Sequence, residues 1–287
     1  MAGIGLVLSG GMAKGIYQIG VLKAIEQYFE PKDITCISAA SIGTLNAYAY
    51  TTGNLDFAER VWKEASQDGS KYIATLINSG FLKRSINILS ESRTIAASKF
   101  YTPLYNLSQN RLFYVDIQKV AQELRGDYLR AAVAMPVFNE AVRIKGNYYY
   151  DGAIIDNIPI SPLYKEPLDY IICIYFDNCN YIFEDKYLDQ RVIKVVFYND
   201  QRLRPSLRLD RERTDLMIRE GYDKASRLFD FLFADGRDDV EKIYQNKKKL
   251  ESSFLLSKTR ITGDVVVNNF NRMAKKIVRN DESVTNG

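Results

Sequence analysis

The chain has 287 residues, with 39 Lys+Arg against 35 Asp+Glu and no histidine at all. Hydrophobic residues make up 46% and charged residues 26%, which excludes a disordered or fibrous chain and predicts one large globular domain, or one domain with an extension. The net charge of +4 is too small to point to a nucleic-acid polymer as partner.

That charge is unevenly spread. Residues 201–287 hold 19 basic and 14 acidic side chains, a net of +5, and residues 1–200 hold 20 and 21, a net of −1. A solvated, mixed-charge helical surface is the plain reading of the C-terminal part, with anionic lipid or nucleic acid as the alternative. Cys36, Cys173 and Cys179 lack zinc-ligand spacing, and zinc would normally recruit histidine as well. Cys36 and Cys173 fall in apolar strand-like runs, so reduced core thiols in a cytoplasmic setting are expected. No secretory signal is read at the start. No window approaches the ~18–20 apolar residues of a spanning helix, so any membrane contact is expected to be peripheral.

In chain order, "GLVLS" at 5–9 reads as a buried strand, and "KGIYQIGVLKAIEQYF" at 14–29 as a helix with charges on its outer side, stopped by Pro31. Residues 34–38 predict a second strand, and Ser41 opens a second helix. This order implies a parallel sheet with helices on its faces. Residues 55–109 read as mostly helical, 111–115 as a strand, and 127–138 as a helix ending before Pro136. Tyr148–Tyr150 predicts a strand, with a turn at Asp151–Gly152. Residues 169–176 and 192–198 predict two more buried strands, and helix is expected from Arg211 onward.

Two turns carry the chemistry. Gly10, Gly11 and Gly15 lie between the first strand and first helix, where glycines let a ligand approach backbone N–H groups. Such a loop holds a nucleotide phosphate, stabilises an oxyanion, or is merely a tight turn. A dinucleotide site also wants an acid at the end of the second strand, and here that strand runs into Ala39, Ala40 and Ser41. Ser41 has the strand–turn–helix setting of a hydrolase nucleophile. A serine hydroxyl needs a base, and without histidine that base must be Asp, Glu, Lys or Tyr. Asp151, at the turn after a strand, is one candidate. Asp156 is another, although "DNIP" reads more like a helix cap before Pro159.

Taken together, "SGGMAKG" at 9–15, "AASIG" at 39–43 and "DGA" at 151–153, with "DNIPISPL" following, resemble the patatin-like phospholipase family, bacterial type, over roughly residues 4–175. The resemblance implies a three-layer α/β/α fold with a mainly parallel sheet, in a hydrolase domain over 1–200; the helical pattern beyond it gives the expectation of a helical C-terminal extension over 201–287 packed on that domain. It implies a phospholipid or other acyl-ester lipid as substrate, cut by a Ser–Asp dyad through an acyl-serine intermediate. Ser41 matches the nucleophile, Asp151 the base, and Gly10, Gly11 and Met12 the oxyanion hole, with Gly15, Gly43 and Gly152 as motif glycines. Lys14 steadies the loop or meets a lipid phosphate, and no metal or cofactor is called for. Met12 stands where the family commonly has a third glycine, and Ala39 where the serine motif commonly begins with Gly. A cyclic-nucleotide-regulated antiviral effector and a catalytically weak patatin-fold binding protein are the alternatives.

Residues 71–100 offer a route to a membrane surface. Ile73, Leu76, Ile77, Phe81 and Leu82 form an apolar face beside Lys71, Lys83 and Arg84. An ordinary core-facing helix pair is the competing reading.

Overall fold

A computed structural model describes residues 2–66, 80–91, 94–136, 138–177, 186–198 and 210–253. Eight strands form one mixed sheet: β1 (Ile4–Leu8), β2 (Ile34–Ala39), β3 (Lys99–Asn106), β4 (Arg111–Asp116), β5 (Val142–Ile144), β6 (Asn147–Asp151), β7 (Tyr170–Asp177) and β8 (Val192–Tyr198). The order is β5-β6-β3-β2-β1-β7-β8, with β4 paired to β3 off this path. The run β3-β2-β1-β7-β8 is parallel, while β4 and β6 lie antiparallel to β3.

Among the described residues the helices are α1 (Gly15–Ile25), α2 (Ile42–Thr51), α3 (Leu55–Ala65), α4 (Gly80–Ser90), α5 (Gln122–Ala131), α6 (Lys186–Arg191) and α7 (Arg211–Leu232), with a further helix over 240–253. The architecture is α/β in three layers. Thr44 of α2 meets Thr102 on one face of the sheet, and Leu104, two residues on and so on the same face, packs with Ala131 of α5. The opposite face, with Val7, Cys36, Cys173 and Tyr175, is sealed by Ile160, Leu163 and Leu168 around a short 3-10 turn, Ser161–Lys165. The thiols of Cys36 and Cys173 are free and buried, and burial pushes that of Cys36 up to about 12. Cys179 lies outside the described residues.

Four expectations need correction. Residues 99–106, expected within a mostly helical stretch, form β3. Phe100, Thr102, Leu104 and Asn106 are buried at every second position, a period of two hidden by the polar residues at Thr102 and Asn106 and by Pro103, which is buried as well. The helix expected over 127–138 runs instead from Gln122 to Ala131, and the chain then extends so that the Ala134 carbonyl accepts the Asp151 N–H at 2.9 Å. Asp156 caps no helix, because its carboxylate accepts the Tyr114 hydroxyl. The first helix also has no solvent face of the expected kind. Every residue of α1 except Lys23 is buried, because α7 covers it.

Compactness divides the chain into Met1–Val240 and Glu241–Gly287. In the first unit α7 crosses α1 at backbone contact, and a Cβ on Gly20 would stand 1.9 Å from the Ile218 carbonyl oxygen. Of the second unit, the described part is helical to residue 253. Among the described residues, no helix is long and apolar enough to cross a membrane. Ile73, Leu76, Ile77 and Lys71 lie outside the described residues. In α4, Leu82, Ser85, Ile86 and Leu89 turn inward at helical spacing, Phe81 is half-buried, and Lys83 and Arg84 are exposed.

Candidate active site

Sheet register brings the serine turn and the Asp151 turn together. One edge of β3 carries β4 along Tyr101–Asn106. The other edge must therefore hold both β2 and β6. There β2 pairs as far as Ser38 opposite Tyr101, and β6 arrives from the opposite direction with Asp151 opposite Leu104. The two strand ends meet nearly head to head across the Thr102–Pro103 gap. Gly152 fills that gap so tightly that a Cβ would sit 2.5 Å from the Pro103 carbonyl carbon. The Thr44 hydroxyl ties the first turn of α2 to the Ala39 carbonyl and to Thr102, each at 2.9 Å.

Ser41 sits at that junction with φ 54° and ψ −134°, a left-handed conformation that turns the chain from β2 straight into α2. Such backbone costs about 1–3 kcal/mol for a non-glycine residue and persists only where the surroundings enforce it. The end of β1 crowds this turn closely: a Cβ on Gly43 would lie 2.9 Å from the Leu8 carbonyl oxygen and 2.7 Å from that of Ser9.

The glycine loop leaves β1 beside this turn. The Ser9 N–H still pairs with the Ile174 carbonyl at 2.9 Å. Gly10 is then clasped by Asn157: its N–H donates to the Asn157 carbonyl at 3.2 Å, and its carbonyl accepts from Asn157 Nδ2 at 3.3 Å. A Cβ on Gly10 would come within 2.9 Å of the Ser41 Cβ, so glycine is what allows loop and serine to touch. Met12, where a glycine was the common choice, takes φ 51° and opens a 3-10 turn, Met12–Lys14.

A cleft of about 360 Å³ opens over these groups. Gly10, Gly11, Met12, Lys14, Ser41 and Asp151 all line it, while Gly15 and Gly43 stand behind it as packing positions. Met135, Ile154, Phe176 and Asn157 complete the wall. The Lys14 ammonium stands 5.9 Å from the centre of the Phe176 ring. Asp156 does not line the cleft.

Asp151 is only 1% exposed. Burial pushes its carboxyl pKa up to about 6, against the smaller downward pull of the Ser41 hydroxyl and the Ala153 N–H. Oδ1 accepts that N–H at 2.9 Å, while Oδ2 is buried with no hydrogen-bond partner in the resting geometry. The serine hydroxyl is thus close enough to influence the carboxylate without a bond of normal length and angle, as is common in unliganded hydrolase sites. The arrangement sets a serine hydroxyl, a buried carboxylate and the glycine loop around one cleft.

Sequence reading missed Asn157, Phe176 and Met135. Asn157 adjoins Asp156, and a search for carboxylates passes over its amide neighbour. Phe176 closes the β7 run that was read simply as core.

A serine on a strained strand-to-helix turn and a glycine loop at the neighbouring strand end thus meet where parallel strands of an α/β sheet end, the place where such sheets hold their sites. The chain matches the family described as Patatin-like phospholipase over residues 6–164, more than half its length, and belongs to it. It is 29% identical over 187 residues to the lysophospholipase NTE1 of Cryptococcus neoformans var. neoformans, covering 60% of this chain and 11% of that one. The lysophospholipase nte1 of Aspergillus terreus gives the same identity and 60% of this chain, with 12% of the relative. The match therefore spans only about an eighth of the length of these curated relatives. Among solved structures, VipD from Legionella pneumophila is 14% identical, with a TM-score of 0.47 over 80% of this chain and 67% of that one. ExoU from Pseudomonas aeruginosa, in complex with SpcU, is 13% identical, with a TM-score of 0.40 over 90% of this chain and 61% of that one.

Proposed function

We propose that this chain is a lipid acyl hydrolase that cleaves acyl esters of phospholipid-type substrates with Ser41 as nucleophile and Asp151 as its base. The observation that carries the reading is the serine on its strained turn beside a buried carboxylate whose pKa lies near 6 and whose Oδ2 is unpartnered. Above that pKa the carboxylate accepts the Ser41 proton as Oγ attacks the ester carbonyl. The Gly10 N–H is engaged by Asn157, so we assign the oxyanion to the N–H groups of Gly11 and Met12. Collapse of the tetrahedral intermediate expels the alcohol, which takes the proton from Asp151. Asp151 then draws a proton from water, which releases the fatty acid from the acyl-Ser41 ester. The mixed wall of Met12, Met135, Ile154 and Phe176 suits an acyl chain, with Lys14 at hand for a phosphate. The lysophospholipases among the relatives support this substrate class.

The test is hydrolysis of a soluble short-chain ester by point variants. Ser41→Ala is expected to lose several orders of magnitude in turnover. Asp151→Asn should fall nearly as far, and the double variant should be little worse, because the two act as a unit. Retention of more than about a tenth of turnover by Ser41→Ala, a loss under ~1.4 kcal/mol, contradicts the reading and leaves a binding protein on this fold.

A further inference from the structure

Behind the glycine loop, buried side-chain amides of α1 and α2 join these helices to each other and to the loop. Gln18 Nε2 donates to the Ser9 carbonyl at 2.8 Å, at the start of the loop. Asn46 Nδ2 donates to the Gly15 carbonyl at 2.9 Å, at the end of the loop, and to Gln18 Oε1 at 2.9 Å. Trp62 Nε1 on α3 donates to Asn46 Oδ1 at 3.3 Å. Gln18, Asn46 and Trp62 are 0%, 2% and 4% exposed. Buried polar groups are costly unless paired, and in this relay both ends of the Asn46 amide are used. Its two anchor points are the carbonyls that bracket Gly10–Lys14.

We infer that Asn46, held by Trp62 and acting with Gln18, is a positioning residue that sets the distance between the glycine-loop amides and the Ser41 hydroxyl. Asn46 belongs to the helix that Ser41 opens, five residues further on, so it links the nucleophile's own element to the loop. A donor that stabilises charge only in the transition state has to stand in place before reaction. If the bracket slackens, ground-state binding in the cleft changes little. The tetrahedral intermediate then loses part of its stabilisation, and a displacement near 1 Å costs up to about a hundredfold. The inference rests on the Ser41–Asp151 reading above.

The measurement combines kcat and KM on a soluble ester with the Tm rise produced when a fluorophosphonate forms its tetrahedral adduct. Asn46→Asp is near-isosteric and removes both donors. It should lower kcat about tenfold or more with KM within about twofold, and at least halve the adduct-induced Tm rise. Gln18→Met, which unpairs the Ser9 carbonyl and takes the Oε1 acceptor from one Asn46 N–H but leaves the Asn46–Gly15 bond, should show the same pattern more weakly, and it carries the same criteria if Asn46→Asp does not fold. A drop in the Tm of the free protein with kcat and the adduct shift unchanged marks a purely structural relay and overturns the inference. A rise in KM with kcat retained overturns it too. Absence of an adduct on Ser41 in the wild-type protein overturns the dyad reading, and the inference with it. A wild-type adduct with unaltered Asn46→Asp and Gln18→Met overturns the inference alone.

Discussion

At the scale of single residues, Asp151 couples activity to stability in opposite senses. Its folded pKa of about 6 lies above the ordinary carboxylate value of about 3.9 in an unfolded chain. The fold therefore favours the protonated form. The favourable contribution is complete below about pH 3.9 and is lost as pH rises through 6, leaving a buried, desolvated anion. In the proposed mechanism the anion is the working form, so kcat/KM on a soluble ester should climb through about pH 6 to a plateau. Asp151→Asn keeps the Oδ1 acceptor for the Ala153 N–H and removes the charge. It should be inactive yet more stable than wild type by up to about 3 kcal/mol at pH 7–8, with the difference vanishing near pH 4. Chemical denaturation of both proteins across that range checks it. An equal stability offset at every pH would mean that Asp151 does not titrate near 6. The sequence made the Ser41 and Asp151 turns legible because each is a local pattern at the end of a strand. Asn157, Asn46 and Gln18 were not, because an amide that serves by holding a carbonyl has no local signature; its partner is set by tertiary contact.

At the scale of elements, the crossing of α1 and α7 depends on Gly20 and Gly221. A Cβ on Gly221 would lie 2.2 Å from the Tyr17 carbonyl oxygen, and one on Gly20 1.9 Å from that of Ile218. Both clashes are with backbone, which cannot rotate away. Gly20→Ala should cost about 3 kcal/mol and lower Tm by roughly 6–12 °C. Gly80→Ala, which meets open space, should stay within about 0.5 kcal/mol of wild type. Equal Tm values for the two variants would contradict so close an approach. This crossing also explains why the expected solvent face of α1 is absent. Periodicity gave the helix its type and place, but not the partner that arrives two hundred residues later. For β3 the loss was different. Buried Thr102 and Asn106 interrupt the apolar alternation; Thr102 meets Thr44, a contact that only the fold reveals, and Asn106 accepts the Gln109 N–H in the turn that follows the strand.

At the scale of the whole molecule, the open sheet places its chemistry where parallel strands end. The carboxyl ends of β1 and β2 supply the glycine loop and Ser41. The antiparallel β6 delivers Asp151 to the same point from the other direction. The strand–glycine turn–helix–strand–serine turn–helix order of the first 50 residues was readable because each step is local. The convergence of Asp151 was not, because it depends on β6 sharing an edge of β3 with β2. The central claim is that Ser41 is a nucleophile activated by Asp151 without histidine. Its most direct test is the rate of covalent labelling by a fluorophosphonate, with the modified peptide located by mass spectrometry. The account predicts a single adduct on Ser41, forming fastest above pH 6 and at least a hundredfold slower in Asp151→Asn. An adduct on another residue, or a Ser41 adduct forming at the same rate in Asp151→Asn, would contradict it.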